Sequence, residues 1–432
     1  MHRQELEPLA AASAQGFHRY PDYDPNHVNN KPHAGEKWLL NKLLTLIGSP
    51  PVRFVLWDGQ EIVRSAAPVA SILIRDRGAL LKLVANPDLQ FGEMYCAGRI
   101  EVAGSLVEFL EALYTARPNS GPGGLRRTLL NWANRPRPND LLHARNNIHH
   151  HYDIGNDFYR LWLDEQMLYT CAYFTNLDET LEQAQIAKMD HICRKLELKP
   201  GQRVVEAGCG WGALALHMAK HYGVEVKAYN IAREQLAYAR EMAQRAGLSQ
   251  QIEYIEGDFR EIASECDAFV SVGMLEHVGL AHYPALGAVI DRCLSPVGRG
   301  LIHTIGTNRP TPLNPWIERH IFPGAYPPSL CEMMQVFEPK NFSVLDVENL
   351  RLHYAKTLEH WLQRFETAIP QVTKMADESF VRTWRLYLAG SLGAFSTGEL
   401  QLFQVVFARG NDNDIPWTRD FLYAQDKDHG TL

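Results

Sequence analysis

The sequence predicts an α/β chain, with a Rossmann-like, mostly parallel sheet behind a small amino-terminal α+β unit. Three observations carry this. From Thr180 to Gly306 short apolar strands alternate with amphipathic helices, the pattern of right-handed parallel crossovers. A glycine-rich turn joins the first strand of that run to the helix after it. Ahead of residue 117 the chain instead shows short strands, a hairpin signal and short helices.

In chain order, residues 1 to about 35 are rich in Pro, His and Asn and read as a loose surface segment. Val52–Val63 reads as a hairpin, because Val52, Phe54 and Leu56 alternate ahead of an Asp58-Gly59 turn. Short strands are expected at 71–74 and 99–102, and helices at 79–84 and 105–115. Residues 117–147 change character. Pro118, Gly121, Pro122, Gly123 and Gly124 break regular structure, and six arginines face one acid, Asp140. This stretch is a solvated connector or, alternatively, a contact for anionic head groups, which attract clustered Arg by roughly 1 kcal/mol each. A regular run follows, with helices at 181–196, 213–221, 232–246 and 283–294. Its strands are expected at 203–207, 224–229, 252–255, 268–272 and 300–305. After an insertion come a strand at 342–350, helices at 355–373 and 378–392, and a strand at 400–408. The expected organisation is an α+β domain over 1–116, a linker over 117–147 and a second domain over 148–432.

Composition narrows the function classes. The 432 residues are 46% hydrophobic, enough to bury a real core. A net charge of −7 argues against bulk attraction to nucleic acid. No apolar run is long enough for a membrane span, and Met1–Tyr20 lacks a signal-peptide core. The seven dispersed cysteines contain no CxxC pair and read as reduced cytosolic thiols, with neither a disulfide frame nor a metal site.

The turn Glu206-Ala207-Gly208-Cys209-Gly210-Trp211-Gly212 carries the cofactor argument. Glycines let the backbone approach a ligand closely, and the next helix presents free N–H groups. No Lys-Ser/Thr follows, so it is not a phosphate-binding P-loop. The spacing is E-x-G-x-G-x-G, which departs from the dinucleotide fingerprint and points to S-adenosylmethionine, with Glu206 placed to pair with a methionyl ammonium. At the end of the next strand, Asn230 with Gln235 would serve the ribose. Asp258 would accept from the adenine amino group, and Phe259 would cover the ring.

Longer strings then resemble the cyclopropane-fatty-acyl-phospholipid synthases and the related mycolic acid cyclopropane synthases. They are His151-Tyr152-Asp153-Ile154-Gly155-Asn156-Asp157-Phe158, Tyr169-Thr170-Cys171-Ala172-Tyr173-Phe174, Gly273-Met274-Leu275-Glu276-His277-Val278-Gly279, His303-Thr304-Ile305-Gly306 and Gln404-Val405-Val406-Phe407. The likeness runs from about His150 to Gly410. It implies a class I S-adenosylmethionine-dependent methyltransferase fold, mostly parallel with an antiparallel strand. It also implies methyl transfer to the cis double bond of a phospholipid acyl chain, followed by ring closure through a carbocation with bound bicarbonate as base. By the same resemblance Cys171, Glu276, His303 and Tyr354 are the catalytic set and bind bicarbonate together with the Ile305 N–H. Tyr169 and Thr170 contact the methionyl end of the cofactor, alongside the Glu206, Gly208, Gly210, Asn230, Gln235, Asp258 and Phe259 set. Tyr173 and Phe174 are candidates for lining the acyl channel. The amino-terminal domain is expected to engage lipid and to form a homodimer, at the cytoplasmic face of the membrane.

Each residue also has a plainer reading. A strand histidine is often a satisfied core residue, a buried cysteine a small hydrophobe, and an aromatic run simple packing. Rival functions remain open at this level. They are a sibling reaction ending in a methyl-branched or methylene chain, a small-molecule N-methyltransferase, and a non-catalytic lipid-binding protein.

Overall fold

The computed structural model describes residues 31–117 and 155–423. The arginine-rich connector, most of the amino-terminal segment and His151–Ile154 lie outside them. The described residues form two compact units, and these interleave along the chain. The first holds residues 31–117 with 314–321 and 365–399, and the second holds 155–313, 322–364 and 400–423. Two segments that the sequence assigns to the carboxyl-terminal domain therefore pack with the amino-terminal one.

In the first unit, β1 (Val52–Val55), β2 (Glu61–Val63), β3 (Ala70–Ile74) and β4 (Ile100–Ala103) form a sheet in the order β2-β1-β3-β4. The hairpin is antiparallel, as its turn predicts, with Gly59 at φ +82°. Three helices of this unit escaped the sequence reading, one of them the short α10 (Pro315–His320). Helix α1 (Ala34–Leu46) overlaps the segment expected to be loose. Helix α3 (Pro87–Cys96) follows α2 (Arg77–Ala85) almost without a break. Its Pro87 sits in the first turn, where a missing N–H costs nothing. The later segments dock through α13 (Glu378–Thr397), which lies against α4 (Leu106–Ala116). Arg382 of α13 donates to the Tyr95 and Ile100 carbonyls at 2.6 and 3.1 Å, and its guanidinium stacks 4.3 Å from the Tyr95 ring centre.

The second unit is built on seven strands. They are β5 (Arg203–Ala207), β6 (Glu225–Asn230), β7 (Ile252–Glu256), β8 (Cys266–Val272), β9 (Leu294–Gly306), β10 (Phe342–Asn349) and β11 (Gln401–Arg409). Their order is β10-β11-β9-β8-β5-β6-β7, and β11 runs antiparallel to both its neighbours. Strand β9 begins six residues earlier than the sequence suggests, and its first residue, Leu294, pairs with Cys266 of β8. Both faces are covered, which is why Val204, Val205, Ala207, Val270 and Leu301 are all buried. Helices α6 (Leu181–Lys195), α7 (Ala213–Tyr222) and α8 (Arg233–Arg245) cover one face through Ile192, Met218 and Leu236. Helices α9 (Tyr283–Cys293) and α11 (Leu330–Phe337) cover the other through Leu286, Ile290 and Phe337. Helix α6 starts cleanly because Thr180 and Gln183 cap each other reciprocally. Helices α7 and α9, which follow the adjacent strands β5 and β8, thus leave to opposite faces. That opens a crevice at the carboxyl ends of these strands, where α/β folds bind ligands.

Candidate active site

The glycine turn fills that crevice. The Gly208 and Cys209 N–H groups donate to the Tyr229 carbonyl at 2.9 and 3.0 Å, which pins the turn to the end of β6. The Asn230 amide nitrogen donates to the Gly210 carbonyl at 3.1 Å and to Gln235 Oε1 at 2.8 Å. Gly212 (φ +84°) turns the chain into α7, and a Cβ there would lie 2.5 Å from the Tyr254 hydroxyl and 2.7 Å from Ala239 Cβ. At Gly210 (φ +52°) a Cβ would meet nothing within 4 Å. The third glycine is therefore required by packing, and the middle one leaves room on the ligand side.

All nine residues expected to hold the cofactor line one cavity: Tyr169, Thr170, Glu206, Gly208, Gly210, Asn230, Gln235, Asp258 and Phe259. Glu206 is buried, and its Oε2 has no hydrogen-bond partner among the described residues. Burial pushes its carboxyl up to about 8. A ligand ammonium would satisfy that oxygen, which is the fit expected for the methionyl end of S-adenosylmethionine. At the far end Asp258 accepts from both the Arg260 backbone N–H (2.9 Å) and its guanidinium (2.9 Å). The same guanidinium stacks 4.6 Å from the Phe259 ring centre. The acid and the aromatic expected for adenine are both present, with Arg260 held against them.

Lys188 was not singled out as a site residue in the sequence. It is buried in α6, lines the same cavity and donates to Thr170 Oγ1 at 3.0 Å. Burial pushes its ammonium down to about 8. The available signal was a lysine among the apolar positions of an amphipathic helix. Asn156 also gains a role, since its Oδ1 accepts from the Trp211 indole N–H at 2.8 Å and ties the family-like string to the turn. Around Tyr169 the rings of Tyr159, Trp162 and Trp361 lie 5.3 to 5.5 Å away, and Trp361 in turn meets Tyr354 edge-on at 5.9 Å.

The residues expected to be catalytic are outside the lining of that cavity but connected to it. Glu276 is buried in a short 3-10 turn just after Met274, which does line it. Its Oε1 accepts from the Ile305 N–H at 2.6 Å, and its Oε2 has no hydrogen-bond partner among the described residues. Burial raises this carboxyl to about 7, while the Ile305 N–H and Thr304 draw it back. Here the structure differs from the expectation for Ile305, because its N–H points to Glu276. His303 lies on β9, buried, with Nδ1 3.0 Å from the Gln404 amide nitrogen, and burial pushes its imidazole down to about 3. Cys171 and Tyr354 meet around Leu350, whose carbonyl lies 4.0 Å from the Cys171 sulfur and accepts from the Tyr354 N–H at 3.1 Å. Tyr354 is buried in the first turn of α12 (Arg351–Val372). Burial drives the Cys171 thiol far above its ordinary range, so it is no thiolate nucleophile. Tyr173 and Phe174 do not line the cavity. The Tyr173 ring is sandwiched between His191 (4.2 Å) and His353 (4.8 Å), and Phe174 stacks on His360.

Comparison with known proteins follows the same geometry. A family profile described as mycolic acid cyclopropane synthetase matches residues 140–405, and one described as a domain of unknown function matches residues 39–120. The chain is 34% identical over 404 residues to a "Probable fatty acid methyltransferase" of Pseudomonas putida, covering 86% of this chain and 96% of that protein. It is 43% identical over 267 residues to the cyclopropane-fatty-acyl-phospholipid synthase of Escherichia coli K12, covering 61% of this chain and 68% of that one. Among solved structures, the mycolic acid cyclopropane synthase CmaA1 complexed with SAH and CTAB superposes with a TM-score of 0.58 at 30% identity. That match covers 61% of this chain and 97% of CmaA1. With the sheet order, the glycine turn and the cavity lining in agreement, the chain belongs to the mycolic acid cyclopropane synthetase family and carries the class I S-adenosylmethionine-dependent methyltransferase fold.

Proposed function

We propose that this protein transfers a methyl group from S-adenosylmethionine to the cis double bond of phospholipid acyl chains and closes a cyclopropane ring. The observation that carries the reading is Glu276, a buried carboxylate with one oxygen held by the Ile305 N–H and the other without a partner beside the cofactor cavity. S-Adenosylmethionine supplies an electrophilic methyl on a sulfonium. Bicarbonate, when bound, supplies a base. The alkene π electrons would form the new carbon–carbon bond as the sulfur–methyl bond breaks, its electron pair returning to sulfur as S-adenosylhomocysteine leaves, with a carbocation on the chain. Loss of a proton from the added methyl returns an electron pair that closes the ring.

The chain's own residues suit these demands. Glu206 is available to hold the cofactor ammonium. Glu276 Oε2 is available to accept from a protonated oxyanion and orient it, and in this reading His303 donates to that anion. The rings of Tyr169, Trp361 and Tyr354 lie in contact, and an aromatic face turned to the substrate would attract a cation by roughly 0.5–2 kcal/mol. No described helix is long and apolar enough to cross a membrane. On this proposal the acyl chain is reached from the cytoplasmic surface of the bilayer. In this reading the amino-terminal unit engages lipid and supports a homodimer.

The test is incubation with S-adenosylmethionine and vesicles of cis-unsaturated phospholipid. A gain of one CH2 per acyl chain, in a product that mild hydrogenation leaves unchanged because the double bond is gone, is the expected result. Cofactor binding with no mass gain would overturn the proposal. A second reading is a methyl-branched or methylene product, favoured by the fatty acid methyltransferase name of the Pseudomonas relative that spans nearly the whole chain. Product fragmentation separates the two.

A further inference from the structure

Three adjacent strands place Glu348, Gln404 and His303 in one cross-strand row. Glu348 pairs with Gln404 across β10 and β11, and Gln404 pairs with His303 across β11 and β9. Lys195, from the last turn of α6, adds an ammonium to this row. Its Nζ donates to Glu348 Oε2 at 2.5 Å and to Gln404 Oε1 at 2.8 Å, and the Gln404 amide nitrogen lies 3.0 Å from His303 Nδ1. Lys195, Gln404 and His303 are all at most 4% exposed, so solvent cannot substitute for these partners.

We propose that Lys195, acting through Gln404, is a positioning residue that fixes His303 in the tautomer with its proton on Nε2 and its lone pair on Nδ1. The deduction uses only donor and acceptor identities. An ammonium has three donors and no acceptor, so the Gln404 atom facing it is the carbonyl oxygen. The amide NH2 therefore faces His303. An NH2 group only donates, so Nδ1 must accept and the ring proton sits on Nε2. The reversed amide would set NH2 against NH3+ and leave a buried oxygen against the ring. Glu348 keeps the ammonium charged: burial lowers Lys195, but the Glu348 carboxylate at 2.5 Å opposes this and is itself held down at about 2 by His191 and Lys195. Burial keeps the imidazole neutral, so the tautomer, and not a charge, decides which edge of the ring donates. The catalytic consequence rests on the proposed function: Nε2–H is then the donor offered to a bound anion. The consequence for the tautomer does not depend on it.

The experiment uses the full-length chain labelled with 15N-histidine and a long-range 1H–15N correlation spectrum. His303 signals are those lost in His303→Gln or His303→Asn, whichever folds. The expected wild-type pattern is a pyrrole-type Nε2 and a pyridine-type Nδ1. In Gln404→Glu the side chain facing Nδ1 becomes an acceptor, and the proton is expected on Nδ1. There kcat should fall by roughly 10²–10³-fold with the thermal shift on cofactor binding unchanged. A wild-type spectrum with the proton on Nδ1 overturns the inference outright, as does a Gln404→Glu spectrum identical to wild type. If the tautomer is as stated but no CH2 reaches lipid, the proposed function fails and the inference stands.

Discussion

Glu206 and Glu276 are two carboxylates in a buried region, and each has an oxygen with no hydrogen-bond partner among the described residues. Natural cores seldom leave such atoms unsatisfied, because each costs about 1–3 kcal/mol. The cost is intelligible as readiness for ligand groups. For Glu276 it has a measurable pH signature. Its folded-state pKa is raised to about 7 from 4.5, so the folded protein holds the proton more tightly. That contribution to stability is fully present below pH 4.5 and is lost as the pH rises through about 7. Glu276→Gln is neutral throughout and keeps an oxygen for the Ile305 N–H. The variant should match wild type in stability near pH 4.5 and exceed it by roughly 3 kcal/mol above pH 8, read by urea denaturation at both pH values. It should also retain cofactor binding while turnover drops about 10²-fold or more. A variant with undiminished turnover would remove Glu276 from the chemistry. At this scale the sequence marked the carboxylates through their motifs. It did not mark Lys188 or Lys195, because a lysine on a helix looks solvated until the packing around it is known.

The strand, turn and helix from Arg203 to Tyr222 form the element that converts sequence pattern into a binding site. Its glycines differ in what they tolerate. Gly212→Ala combines a left-handed backbone with contacts of 2.5 Å to the Tyr254 hydroxyl and 2.7 Å to Ala239 Cβ. It also disturbs the 2.9 Å bond from that hydroxyl to the Gly212 carbonyl. The expected loss is about 2–4 kcal/mol, seen as a lower urea midpoint with the m-value unchanged. A loss below about 0.5 kcal/mol would show that Tyr254 and α8 move aside at little cost. Elements with regular periodicity, such as α6 to α8 and β5 to β8, were legible because burial on one or both faces leaves its period in the sequence. Helix α3 was not, since Pro87 reads as a break unless it is recognised as a first-turn residue. The early start of β9 was hidden for another reason: Leu294–Arg299 includes Pro296 and Gly298, and its strand form depends partly on the partner β8, where Leu294 pairs with Cys266.

For the molecule as a whole, ligand binding and folding are linked. S-Adenosylmethionine at about 100 times its dissociation constant should stabilise the second unit by roughly 2.7 kcal/mol. The rise in Tm should be strongly reduced in Glu206→Gln, which removes the carboxylate charge facing the ammonium. No shift in the wild-type chain would contradict the assignment of the cavity. The interleaved units complicate any truncation at residue 117, because residues 314–321 and 365–399 pack with the amino-terminal sheet. Helix α12 itself passes from the second unit to the first at Phe365. The sequence by itself determined the strand and helix alternation, the methyl-donor turn and nine of the residues that line the cavity, because local periodicity and short motifs are properties of neighbouring residues. Only the tertiary structure decided which segments share a core, that the Ile305 N–H holds Glu276, and that Lys195 reaches Gln404 and Gln404 reaches His303. Those contacts join residues 29, 209 and 101 positions apart in the chain, and strand order and burial, which no local pattern encodes, bring them together.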